Sequence, residues 1–147
     1  MATDSCRKSP GARVTPAIAA WSTAVPAGRA ASRVAVTAGA AVTAAAHIPV
    51  IGPHLAEAPY MGMLFIALTV AMLFIGELAI NSRRRITYLA AALTAALAIV
   101  GYAATRTVAF PLLSDDVGNW VEPLGIVCVI AEAVVLISAL AVLRPRR

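Results

Sequence analysis

Charge is scarce in this chain. Only 13% of its 147 residues are charged, about half the share of an ordinary soluble domain. A water-facing surface is hard to build from so few. Aromatics are also few, at 5%. There are two cysteines, Cys6 and Cys128. They form no CxxC pair, which excludes a thiol redox motif and a disulfide scaffold. No apolar run precedes Cys6, which excludes a lipoprotein signal. Lys8 is the single lysine; the other 11 of 12 basic residues are Arg. No nucleophile triad, phosphate-cradling glycine loop or dinucleotide motif is present.

Hydrophobic residues make up 61% of the chain, and the mean hydropathy is +0.85. Those values exclude an unfolded or collagen-like chain. The abundance of Ala (34 residues) and the bias from Lys to Arg fit a GC-rich bacterial genome. The net charge of +5 raises nucleic-acid binding as a possibility, and the position of the charges removes it.

Four apolar runs cover residues 34–51, 60–80, 86–108 and 123–143. Each is long enough to cross about 30 Å of hydrocarbon as a helix. The runs are continuous rather than alternating, which excludes a β-barrel. The expected fold is all-α: a four-helix transmembrane bundle over residues 34–143. The first run is the weakest, being mostly Ala. Pro49 and Pro53 are expected to break its helix.

Arg7, Lys8, Arg13, Arg29 and Arg33 precede the first run. Arg83, Arg84 and Arg85 lie between the second and third, and Arg144, Arg146 and Arg147 follow the fourth. Only Arg106 falls on the other side. By the positive-inside rule both termini are cytoplasmic, in a bacterial plasma membrane. Tyr60 and Trp120 fit an outer aromatic belt, and Tyr88 an inner one. Residues 1–33 are expected to form a disordered basic tail that touches anionic headgroups. A cleaved signal peptide is the rival reading; Pro16, Trp21, Ser22 and Thr23 make its apolar region poor. Residues 144–147 form a short basic C-terminus.

Glu132 stands tenth in the run 123–143, near the membrane midplane. A carboxylate there is costly and is a functional-site candidate by default. Helical spacing sets Gly125, Val129, Glu132 and Leu136 on one stripe, with Cys128 beside it. The bland reading is a carboxyl bonded to a neighbouring helix, where Thr94 lies at similar depth. A proton- or cation-handling role is the sharper one. Glu77, one turn before its run ends, is expected to pair with Arg83 or Arg84 at the inner boundary.

The outer side gathers the remaining polar groups. His47, His54 and Glu57 lie around the first loop. Arg106, Asp115, Asp116, Asn119 and Glu122 lie around the second. Two imidazoles with carboxylates suit a divalent metal or a haem, so His47 and His54 are the metal candidates. No spacing is diagnostic, and no cofactor is expected. Structurally, Arg106 is expected to pair with Asp115 or Asp116. Helix four starts either with Asn119 as cap or with Pro123 at its first position beside Glu122.

The segments His47-Ile-Pro-Val-Ile-Gly-Pro-His54-Leu-Ala-Glu57-Ala-Pro-Tyr60 and Thr105-Arg106-Thr107, followed by Asp115-Asp116-Val-Gly118-Asn119-Trp120-Val-Glu122-Pro123-Leu-Gly125, resemble a group of short actinobacterial four-helix membrane proteins. The resemblance spans about residues 34–143. It implies the topology and transfers no activity. Four short helices with a membrane Glu are also similar to small multidrug transporters. There the carboxylate lies in the first helix, and here that helix has none. The leading expectation is a non-enzymatic accessory component of a membrane complex. The expected partners are the lipid bilayer and a membrane-protein partner or second copy; nucleic acid is not one. The alternatives are a proton- or cation-coupled transporter using Glu132, and an outer metal or haem site at His47 and His54.

Overall fold

The computed structural model describes residues 29–145. The tail, with Cys6, Arg7, Lys8 and Arg13, lies outside the described residues, as do Arg146 and Arg147. The rest is helical: α1 (Ala30–Glu57), α2 (Pro59–Asn81), α3 (Arg85–Thr107) and α4 (Pro123–Leu143). A short 3-10 turn, Ser114–Asp116, interrupts the α3–α4 connection. All four helices are long and apolar enough to cross a membrane. Helices α1 and α2 pack closely, α1 and α3 each pack on α4, and α2–α3 is the thinnest seam.

The bundle is apolar outside as well as inside. Phe74 and Ile137 are 67% and 68% exposed, while the core is built mainly of Ala with Met72, Tyr88, Val135 and a few others. Water would not tolerate that outer surface, and lipid would. Small residues bring the backbones together, as in membrane helix pairs. A Cβ on Gly39 of α1 would meet Val135 Cγ2 of α4 at 2.8 Å and Ala131 O at 3.0 Å.

Helix α1 departs from the expectation. It starts at Ala30, so residues 30–33 belong to it, and it continues through Pro49 and Pro53 to Glu57. The two prolines stand four residues apart and share the exposed side of the helix. The carbonyls they leave without N–H donors are those of Ala45 and Pro49, and both residues face outward. The opposite side, with Ala44, Ala46 and His47, stays packed. In lipid, a helix that keeps most of its hydrogen bonds is favoured over a broken one.

The two ends of the bundle differ. The basic end holds the start of α1, the α2–α3 turn and the end of α4. Tyr88 is buried here rather than at a lipid boundary, and its hydroxyl bonds Ala79 O (3.2 Å) and Ser82 O (3.3 Å). At the histidine end, the α3–α4 connection folds over the α1–α2 turn. Leu113 is buried against Ala58 and Met61, with Phe65 and Phe110 beside them. Tyr60 donates to Pro111 O at 2.6 Å, next to Leu112 in the left-handed region (φ 65°).

Candidate functional site

The apolar interior holds one run of polar side chains. Thr43 and His47 of α1, Thr69 of α2, and Cys128 and Glu132 of α4 are all buried. Their register follows from two contacts. Gly39 lies against Val135 and Ala131, and His47 Nδ1 lies 3.6 Å from Cys128 Sγ. The helices are antiparallel, so Thr43, midway between Gly39 and His47, comes level with Ala131 and Glu132. Cys128 and Glu132 are one turn apart on the buried stripe of α4. The arrangement is a carboxyl deep in the bundle, a hydroxyl at its level, and an imidazole and thiol one turn towards the histidine end.

Satisfaction within this run is incomplete. Glu132 is 2% exposed. Among the described residues every ion pair belongs to Arg106, so Glu132 has none. Thr94, the expected partner, is only half-buried, and no hydrogen bond joins it to Glu132. The hydroxyls of Thr43 and Thr69 are buried without a hydrogen-bond partner. Burying a hydroxyl unpaired is costly, so this run leaves hydrogen-bonding capacity unmet. A small polar species beside either hydroxyl would meet it.

The two histidines share a mode of anchoring. His47 Nδ1 lies 2.8 Å from Thr43 O, and His54 Nδ1 2.8 Å from Val50 O, each one turn back. Both rings pack on Phe65, at centroid distances of 5.2 and 4.8 Å. Two turns of helix place their Cα atoms about 10 Å apart. They do not form a pair facing each other across a haem. Among the described residues, no three His, Cys, Asp or Glu side chains gather where they could hold a metal. Phe65, with Leu113 and Phe110, closes the histidine end over His47.

The polar groups at the histidine end divide instead of converging. Arg106 is buried and pairs with Asp116 (2.7 Å) and, more distantly, Glu122 (3.7 Å). Its guanidinium lies 4.8 Å from the centre of the Tyr102 ring. Tyr102 in turn donates to Trp120 O at 2.9 Å. Asp115 takes no part in that pair; it accepts from Ser114 Oγ at 3.2 Å. Glu122, not Asn119, caps α4: its Oε2 accepts from Gly125 N at 2.9 Å, and Pro123 opens the helix. Glu57 is exposed at the end of α1. These groups fasten the loop to the helix ends and leave the histidines apart.

Glu77 does not pair with Arg83 or Arg84. Helix α2 ends at Asn81, and Ser82 is extended (φ −114°, ψ 143°), which turns the arginines off the helix face. Glu77 Oε1 instead accepts from Asn81 Nδ2 at 2.6 Å.

The basic end shows a device that sequence reasoning missed. Arg33 of α1 donates to Ala79 O (3.2 Å) and to Ile80 O, at the end of α2. Arg29 donates to Arg144 O (2.5 Å) and Arg85 to Leu143 O (2.7 Å), at the end of α4. Cations at helix C-termini meet the negative end of the dipole and the last free carbonyls. In the sequence these arginines look like orienting charges; their pairing with distant helix ends leaves no local signal. Comparison with protein-family models, with curated proteins and with solved structures finds no match for this chain.

Proposed function

We propose that the chain is a non-enzymatic multi-pass protein of the bacterial plasma membrane, with both termini cytoplasmic, that takes up a proton or small cation at Glu132. The observation that carries this reading is the buried carboxyl without an ion pair, at the level of a buried hydroxyl without a partner. A membrane-buried carboxyl of this kind typically marks an ion or proton pathway. Thr43 supplies a further oxygen at its level, and His47 and Cys128 line the turn above. Phe65 and Leu113 close the outer approach, so uptake requires them to move. The test is flux in proteoliposomes carrying a pH-sensitive dye, under imposed proton, Na+ and K+ gradients. Wild-type protein is expected to pass at least one of these ions, and Glu132→Gln to abolish that flux. Equal flux through the variant sinks the reading.

A second reading, a component of a larger membrane complex or a homo-oligomer, is favoured by one feature. An open apolar groove of about 340 Å³ runs between α1 and α4, over Ala35, Ala38, Gly39, Val127, Ile130 and Ala131. Mild-detergent purification is expected to retain a stoichiometric membrane partner or a second copy. A strictly solitary chain counts against it.

A further inference from the structure

The end of α4 carries an unusual concentration of positive charge. Arg29 reaches it from α1 and Arg85 from α3. They donate to the carbonyls of successive residues, Arg144 O and Leu143 O, so both guanidinium groups are anchored at this one helix end. Arg144 itself is exposed at the same point. Arg33 covers the end of α2 nearby, and Arg83 and Arg84 stand exposed on the adjoining turn. Among the described residues no carboxylate pairs with any of these six arginines; the ion pairs all belong to Arg106, at the opposite end. Among the described residues the one acid near this end, Glu77, is engaged with Asn81.

Two like charges held by adjacent carbonyls repel unless an anion lies between them. Each guanidinium has five N–H donors in a planar fork suited to phosphate oxygens. Arg29 and Arg85 each spend one of those donors on the helix end. In a membrane-spanning bundle this point falls at headgroup depth, where the nearest abundant anion is a lipid phosphate. We propose that the end of α4, framed by Arg29, Arg85 and Arg144, is a binding site for the headgroup of an anionic phospholipid. The site is independent of Glu132. Arg29 and Arg85 then tie α1, α3 and α4 together through the lipid as well as through the helix end.

The test compares lipid binding by the full chain in zwitterionic detergent micelles doped with phosphatidylglycerol or phosphatidylcholine. Native mass spectrometry counts retained lipid, and thermal unfolding reads stabilisation. Wild-type protein is expected to retain phosphatidylglycerol selectively and to unfold at higher temperature with it. Removing Arg29 and Arg85 together, as Gln, is expected to lower the affinity about fivefold per arginine lost. Arg29→Lys with Arg85→Lys keeps the charge and tests folding; it is expected to recover much of the binding. Arg83→Gln with Arg84→Gln removes the same charge elsewhere and is expected to cost less. An equal loss from the two Gln pairs overturns the site in favour of a diffuse basic surface. Equal retention of the two lipids also overturns it, and so does full stabilisation by inorganic phosphate alone.

Discussion

Gly39 decides how closely α1 can approach α4. Any Cβ there would come within 3.0 Å of a backbone oxygen, Ala131 O, which has no flexible end to yield. Gly39→Val is therefore expected to push the helices apart and cost about 1–3 kcal/mol. Unfolding in mixed detergent micelles measures it, and a variant as stable as wild type would refute the close contact. The same shift would separate His47 from Cys128, because both pairs lie along one helix interface. Some residue roles are legible from the sequence. Glu132 stands out as an acid in an apolar run, and Pro123 with Glu122 marks the start of a helix. The His47–Cys128 contact is not legible. It joins residues 81 positions apart, and neither neighbourhood carries a signal for the other.

At the scale of the element, α1 is where local rules mislead. Pro49 and Pro53 end a helix in water, where freed carbonyls find solvent. Here Ala45 and Pro49 lie on the exposed side, and the packed side holds the helix together. Pro49→Ala restores a donor to Ala45 O and removes a steric clash. It is expected to stabilise the bundle by up to about 3 kcal/mol, read as a rise in the denaturant midpoint. A fall in the midpoint would mean that a bend at Pro49 is needed to seat His47 and His54 on Phe65. The other three helices follow their hydropathy closely, since each is one long apolar run between polar turns. Only their ends shift, by a residue or so. Tyr88 shows the limit of that legibility: its place near a boundary suits an aromatic belt, but two carbonyl partners at the end of α2 draw it inside.

For the whole molecule, charge asymmetry and bundle topology make a joint statement. The starts of α1 and α3 and the ends of α2 and α4 share one end, and that end holds every described arginine except Arg106. The orientation proposed above places it in the cytoplasm. Introduced cysteines test this in intact cells in a Cys6→Ser background, where the remaining Cys128 is buried. Arg83→Cys is expected to resist an impermeant maleimide until the membrane is permeabilised, and Asp115→Cys to react at once. The opposite pattern inverts the molecule. The grouping of the residues at the histidine end is only partly legible. Sequence places His47, His54, Asp116 and Glu122 at one end. Which of them meet depends on the loop crossing over α2, and that crossing is set by Leu113, Phe110 and Tyr60.

Cys128 gives the bundle a clock of its own. Its thiol is buried against His47 of α1, whose ring packs on Phe65, so a reagent meets it only when α1 and α4 part or the histidine end opens. In a Cys6→Ser chain, the rate at which a small membrane-permeant thiol reagent consumes Cys128 therefore counts openings of the interior. A rate that climbs with reagent concentration and then levels off would give the opening frequency directly. Phe65→Ala should quicken it if the histidine end is the door, and Gly39→Val if the helix interface is.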